Sequence, residues 1–442
     1  MTQTYDSVSL KSMIEAQLDE HLGGVTALYR RLHEHPELPF QEHKTSAQVA
    51  EALRAQGFEV TQGVGGTGVV AMLRNGDGPT VMLRSDLDAL PILEDTGVDF
   101  ASRDTGQTPD GRQVPVMHAC GHDLHSSCLV GAGAVLMALR EHWQGTLMLI
   151  AQPAEEIFGG AQAMLADGLY DRFARPDIVL GQHNMPALAG TVGHTEGQAM
   201  AAATTLKVTV HGAGGHGSMP AQTIDPVVIA AHIVTRLQTI VAREVPPEQT
   251  VVVTVGKLVA GTQGNIIPHS AEMEVNVRGF DDALHRKVLE AIERIVRAEC
   301  EAGRSPKPPE FEVLTETITL RNDDAAVARV RAKHAELLGE STLFDMPRVN
   351  GSEDFPYFGN ADAGGFGGDD IPCVYWFVGA TPDARWQQTP GESLSEKLSQ
   401  LEMPHSPYYF PGNDVTVRTA MAAFAAGALA WLAPRESDTA DA

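Results

Sequence analysis

The sequence predicts an α/β protein of two domains, a sheet domain interrupted by an inserted ferredoxin-like α+β domain. Two observations carry this. Before about residue 200, and again after about 316, apolar strand-like runs alternate with helical patterns, as in a sheet covered by helices on both faces. Between those limits the rhythm changes to half-buried alternation in the order β-α-β-β-α-β, the ferredoxin-like pattern. The chain therefore divides into residues 1–199 with 317–442 as one discontinuous domain, and 200–316 as the insertion. Its 442 residues leave room for two or three domains at roughly 150 residues each.

The elements follow in order. "SAQVAEALRAQG" has the spacing of an amphipathic helix, closed by Gly57. "GVVAML" and "TVMLRSD" are strands, and "SCLVGAGAVLMALRE" is a buried helix. "GTLMLIAQP" and "DIVLGQ" are strand-like again. In the insertion, "ATTLKVTVHG" alternates as a strand and "DPVVIAAHIVTRLQTIVARE" is helical. "QTVVVTVGKLVAG" and "SAEMEVNVRGF" are strands, "ALHRKVLEAIERIVRAECEAG" is a helix, and "PEFEVLTETITL" is the last strand. "DDAAVARVRAKHAELLG" and "IPCVYWFVGA" then resume the helix and buried-strand style of the first part. No internal repeat or low-complexity segment stands out.

Composition narrows the function classes. Lys plus Arg is 32 against 57 for Asp plus Glu, a formal charge of −25 with no basic run, which argues against nucleic-acid or anionic-membrane partners. The first residues, "MTQTYDSVSLKSMIEAQLDEH", lack a signal peptide's basic start and apolar stretch. "AAFAAGALAWLA" is too short for a bilayer, which needs about 20 residues, and reads as a buried helix near the C-terminus. Cys120, Cys128, Cys300 and Cys373 are too few and scattered for a disulfide framework. A cytoplasmic protein is expected.

Titratable residues collect after the strands of the first part. Asp86 and Asp88 follow "TVMLRS", Glu155 and Glu156 follow "GTLMLIAQPA", and His183 follows "DIVLGQ". Ligands of open α/β sheets bind beyond the carboxyl ends of strands. "PVMHACGHDLH" adds Cys120, His122 and His125 on a loop leading into a helix, and a long loop must bring in His405 of "MPHSPYYF". Singly, each has a plainer reading: Asp-x-Asp as turn chemistry, Glu-Glu as solvated surface. Together they point to a metal site of borderline character, for zinc, manganese, cobalt or nickel. Adjacent Glu155 and Glu156 cannot point the same way in extended backbone, so one could bind metal and the other act as a base. The rival reading is a nucleophilic Cys120 with His122 or His125 as its base; it leaves the two glutamates, His183 and His405 without work.

The stretches "HEHPELPFQEHKTS", "RSDLDALPI", "MHACGHDLH", "QPAEE", "GQHNMP", "HGAGGHGSMP", "GNIIPHSAEMEVNVRGFD", "GSEDF" and "MPHSP" resemble the M20 metallopeptidase clan. The likeness runs from about His33 to Phe410 and is greatest to the aminoacylase and amidohydrolase branch, with hippurate hydrolases and indole-acetyl-amino-acid hydrolases. It implies a catalytic domain with two divalent ions per subunit, zinc first, and a lid domain that mediates a homodimer or a dimer of dimers. Carried over by residue, Cys120 resembles the ligand shared by both metals, and His122, Glu156, His183 and His405 the remaining ligands. Glu155 resembles the general base. His216 resembles a lid histidine that reaches a partner subunit's site and holds the oxyanion. Asn265 and Arg278 match lid positions that hold substrate, and Asp86 and Asp88 a supporting Asp-x-Asp. On this likeness Cys120 is a ligand and not a nucleophile, with His118 and His125 as hydrogen-bonding neighbours. The implied activity is hydrolysis of N-acyl amino acids; a dipeptidase or carboxypeptidase with the same site is the alternative. Two features depart from the pattern: Asn184 stands where an apolar residue is expected, and the segment 359–404 is unusually long.

Overall fold

The computed structural model describes residues 9–434. They form two compact units. The first comprises the residues up to Gly197, Arg321–Pro347, and those from Asp354 onward; the second comprises Gln198–Leu320 and Arg348–Glu353. Residues 1–8, part of the stretch read above for a signal peptide, lie outside the described residues.

The first unit is built on a nine-stranded sheet. At its centre Trp143–Gln152, Thr80–Asp86, Ile178–Leu188 and Cys373–Thr381 lie side by side, each parallel to the next. All nine residues of Cys373–Thr381 are buried, as its continuous apolar run "CVYWFVGAT" requires of a strand covered on both faces. Gly68–Asn75 and then Glu59–Val64 extend the sheet antiparallel on one side. Helix Asp414–Leu429, capped by the Asn413 side chain on the Thr416 amide, packs its alanine-rich length into the core with Trp376 and Phe424. Small side chains permit this: a Cβ on Gly427 would already touch the Trp376 ring at 3.0 Å.

Some elements escaped the sequence reading. Leu10–Glu34 is a 25-residue helix capped by Ser9, with Leu18, Val25, Leu28 and Leu32 buried. Glu59–Val64 is a strand despite the polar sequence "EVTQGV", because backbone pairing with Gly68–Asn75 forms it. The long segment 359–404 contains the Cys373–Thr381 strand and three short helices, Ala361–Gly364, Asp383–Gln388 and Leu394–Leu398.

The second unit is a four-stranded antiparallel sheet in the order Val251–Ala260, Ser270–Gly279, Ala202–His211, Glu310–Thr317. Helices Pro226–Arg243 and Asp282–Ala302 cover one face, where Ile229, Ile233, Ile292 and Val296 meet Val208, Met273 and Val275. The alternating burial along Ser270–Gly279 is the period-2 signature of that one-sided cover. Arg348–Glu353 belongs here because Val349 bridges Met200 and the Arg278 guanidinium donates to Asn350 O and Ser352 Oγ. Among the described residues no helix is long and apolar enough to cross a membrane.

Candidate metal centre

The parallel strands bring the chemistry to one edge. Asp86 ends Thr80–Asp86, with Asp88 just beyond it, and the turn Glu155–Ile157 follows Trp143–Gln152. Because these strands are parallel neighbours, both acidic pairs leave the sheet at its carboxyl edge. His183 does not lie past a strand end as the sequence reading has it. It sits inside Ile178–Leu188 opposite Phe377, since pairing with Cys373–Thr381 keeps the backbone extended as far as Leu188. Cys120 precedes helix His122–Ala138, whose first residue is His122, across Gly121 at φ +84°. Glycine is required there twice over: the angle is left-handed, and a Cβ would collide with the Asn184 amide. The His405 N–H donates to Ala119 O at 2.8 Å, which ties the long final loop to the Cys120 loop.

The side chains converge. Cys120 Sγ lies 3.3 Å from His183 Nε2. His122 Nε2 is 3.8 Å from Glu155 Oε2 and 3.9 Å from Glu156 Oε1, and His405 Nε2 is 3.4 Å from Glu156 Oε1. His122 Nε2 and Glu156 Oε1 are buried without a hydrogen-bond partner. Two ligands of one tetrahedral ion, at bond lengths near 2.0–2.3 Å, stand roughly 3.3–3.8 Å apart, so these spacings suit a shared cation better than direct hydrogen bonds. Three of the five donor groups among the described residues meet here: Cys120, His122 and His183; Cys120, Glu156 and His405; His122, Glu155 and Glu156. Cys120 belongs to two of them. The residues therefore fit a divalent metal centre.

Supporting contacts aim each donor. Asp88 takes His122 Nδ1 at 3.2 Å and the Glu156 N–H at 2.9 Å, so one carboxylate orients both. His183 Nδ1 donates to Asn184 O at 2.5 Å, which directs Nε2 to the site. His125 donates from Nδ1 to Asp86 at 2.7 Å and accepts the Asn184 N–H on Nε2 at 3.0 Å. Both its nitrogens are thus engaged, which removes His125 as a base for Cys120. Burial and the Glu156 carboxylate push the Cys120 thiol up, but His183 and His122 outweigh them and hold it at about 6. Contact with Cys120, then with Glu156, raises His405 to about 10. A divalent cation held here would keep Cys120 a thiolate and would displace the His405 proton.

The remaining candidates lie in the second unit. His216 pairs with Ile266, and the Gly217 N–H donates to Asn265 O, so His216 and Asn265 share one hairpin. A cavity of about 500 Å³ lies against this hairpin, lined by Gly215, Ile266, Ile267 and His269. Arg278 is half-buried at the far end of Ser270–Gly279, roughly 27 Å along the strand from Ser270 at about 3.4 Å per residue. The sequence reading also missed participants. Glu42, fully buried, accepts the Ala154 N–H at 2.9 Å and so holds the backbone turn, Ala154 at φ +49°, that presents Glu155. Its only signal was its place in the quoted "PFQE". Arg84, also buried, reaches Gln152, Asp86 and Asp354 at 2.7–3.1 Å.

A parallel sheet with a Cys/His/Glu donor cluster at its carboxyl edge defines a candidate metallohydrolase. The chain belongs to peptidase family M20/M25/M40, whose profile residues 82–402 match. It is 36% identical over 360 residues to thermostable carboxypeptidase 2 of Saccharolobus solfataricus, spanning 80% of this chain and 85% of that one. It is 40% identical over 295 residues to an N-acyl-L-amino acid amidohydrolase of Geobacillus stearothermophilus, 66% of this chain and 76% of the relative. Among solved structures it resembles the Bacillus subtilis YXEP protein, a dinuclear metal binding peptidase from the M20 family, with 27% identity, a TM-score of 0.69, and coverage of 93% of this chain and 99% of that one.

Proposed function

We propose that this protein is a metal-dependent amidohydrolase that cleaves N-acyl amino acids to a carboxylic acid and a free amino acid. One observation carries the reading: buried His122 Nε2 and Glu156 Oε1, both without hydrogen-bond partners, face each other at 3.9 Å between Cys120, His183 and His405. The likeness to an N-acyl-L-amino acid amidohydrolase supports the substrate class. Cys120, His122, Glu156, His183 and His405 are the proposed ligands of two divalent ions, zinc first, with manganese, cobalt or nickel as alternatives. When bound, the ions supply a Lewis acid that polarises a carbonyl and lowers the pKa of water toward about 7.

The chain's own residues carry the proton. Glu155 accepts one from water as its oxygen attacks the amide carbonyl carbon, then returns it to the leaving nitrogen as the C–N bond breaks. His216 donates to the developing oxyanion. The Ser218 N–H donates to His216 Nδ1 at 3.1 Å, leaving the ring proton on Nε2 for that purpose. Arg278 holds substrate, and Asn265, on the His216 hairpin, holds substrate in the site that His216 serves. The discontinuous sheet domain is proposed as the catalytic one and the insertion as the lid. His216 lies on a separate hairpin that joins the lid sheet near Ser270, and Arg278 lies at the other end of that strand, too far away for one small substrate to touch both. This supports assigning His216 to a second copy's site in a homodimer, or in a dimer of dimers. The exposed edge strand Val251–Ala260, with Leu258 and Val259 about half exposed, offers a surface for that copy. The four free thiols suit a reducing compartment such as the cytoplasm.

The test is release of free amino acid from a panel of N-acyl amino acids, hippurate included, beside unblocked dipeptides, with metal content measured by mass spectrometry. Acyl-amino-acid turnover that a chelator abolishes and zinc, manganese, cobalt or nickel restores is expected. Dipeptides turned over in preference would shift the reading to the peptidase that the likeness to a carboxypeptidase favours. Full activity in verified metal-free protein would sink it.

A further inference from the structure

We infer that Asn184 is a positioning residue that locks three metal-ligand segments to one another, with Tyr409 as its partner. The inference rests on the ligand assignment above and goes beyond it. Asn184 follows His183 on strand Ile178–Leu188, and neighbours on a strand point to opposite faces. His183 turns to the donor cluster, and Asn184 turns to the packed side behind it, where it is buried. Its amide meets three segments there. Nδ2 donates to Cys120 O at 2.7 Å and to His125 Nε2 at 2.7 Å. Oδ1 accepts the hydroxyl of Tyr409, four residues beyond His405 and itself buried.

The orientation of the amide is forced. A carbonyl oxygen and a histidine nitrogen already receiving the Asn184 backbone N–H can only accept, so the NH₂ faces them. The oxygen is left for the one donor present, the phenol. One amide hydrogen goes to Cys120 O, the other shares the single His125 Nε2 lone pair with the backbone N–H, and the oxygen takes the phenol. An apolar side chain at this position would strand Cys120 O and the Tyr409 hydroxyl in a buried space, where unpaired polar groups are costly. The close approach also explains Gly121, whose missing side chain leaves room for the Asn184 amide. One side chain thus sets the carbonyl of the Cys120 loop, the histidine beneath it, and the loop bearing His405 in fixed relation to His183. Groups that orient metal ligands typically change metal affinity 10- to 100-fold when removed.

The experiment uses the full-length protein, with zinc affinity from chelator competition and the thiolate-to-cobalt charge-transfer band of the cobalt-loaded form. Asn184→Ala and Tyr409→Phe are each expected to weaken zinc binding by about 10- to 100-fold and to shift the cobalt band. A role confined to packing would lower the melting temperature and leave band and affinity at wild-type values. Tyr409→Phe removes a single hydroxyl and so decides the matter even if Asn184→Ala does not fold. Wild-type affinity with an unshifted band in either variant overturns the inference. Cys120→Ser in the same assay separates it from the functional reading: a band that survives Cys120→Ser defeats the ligand assignment, whereas a band lost there but unmoved in the other two defeats only the role of Asn184.

Discussion

Glu155 and Glu156 stand side by side in the chain, and both bring a carboxylate to within 3.9 Å of His122 Nε2. What separates them is the rest of their contacts. Glu156 also faces His405 and has its N–H held by Asp88, whereas Glu155 sits on the turn whose backbone Glu42 secures. Glu155→Gln is expected to lower kcat by about 10²–10⁴-fold, the usual worth of a general base, with metal retained. Glu156→Gln is expected to weaken metal binding itself. Metal analysis and kinetics on both variants check this, and near-normal kcat in Glu155→Gln would refute the base assignment. The proposed ligands were legible because Glu-Glu after a strand and Cys-x-His before a helix are local patterns. The groups that orient them were not. Glu42 lies 112 residues from Ala154, and Tyr409 lies 225 from Asn184.

Two buried ionic clusters, of two contacts each, do what apolar packing does elsewhere. Arg84, on the central strand Thr80–Asp86, pairs with Asp86 at 2.7 Å and Asp354 at 3.1 Å, all three fully buried. Arg84→Met would leave two buried carboxylates without their cation, and a loss of roughly 3–5 kcal/mol in urea unfolding is expected. Stability within 1 kcal/mol of wild type would show that the pair is compensated. His33, near the end of helix Leu10–Glu34, joins Asp123 at 2.7 Å and Glu94 at 3.0 Å. Burial alone would push His33 down, but the hydrogen bonds to Asp123 and Glu94 prevail and raise it to about 9. A raised folded-state pKa stabilises fully below the unfolded value near 6.5, and that contribution fades as pH climbs through about 9. It is worth on the order of 3 kcal/mol at pH 6. The stability gap between wild type and His33→Gln is therefore expected to narrow from pH 6 to pH 10. A gap that stays constant across that range would contradict the charged state of His33.

At the scale of the whole molecule the proposed homodimer makes a testable demand of His216. A His216→Ala subunit keeps its own Glu155, and a Glu155→Ala subunit keeps the histidine it offers. Each homodimer is expected to be nearly inactive. Co-expression is expected to recover a fraction of wild-type activity, because one of the two sites in a mixed dimer would combine an intact Glu155 with an intact His216. Isolated mixed dimers no more active than either parent would refute the exchange and place His216 in its own subunit's site.

Periodicity and composition by themselves determined the α/β class, the ferredoxin-like order of the insertion, and the strand ends where the donors gather. Each of these is a record of which face of a local element is buried, and burial leaves its mark within a few residues. The tertiary structure alone decided that His183 lies inside a strand, that residues 348–353 return to the second unit, and that Arg84, Glu42 and Asn184 are buried with hydrogen bonds to the candidate site segments. Those facts depend on ladder register and on partners 59 to 270 residues away, and the hydrophobic pattern is the same whichever polar partner a buried side chain meets.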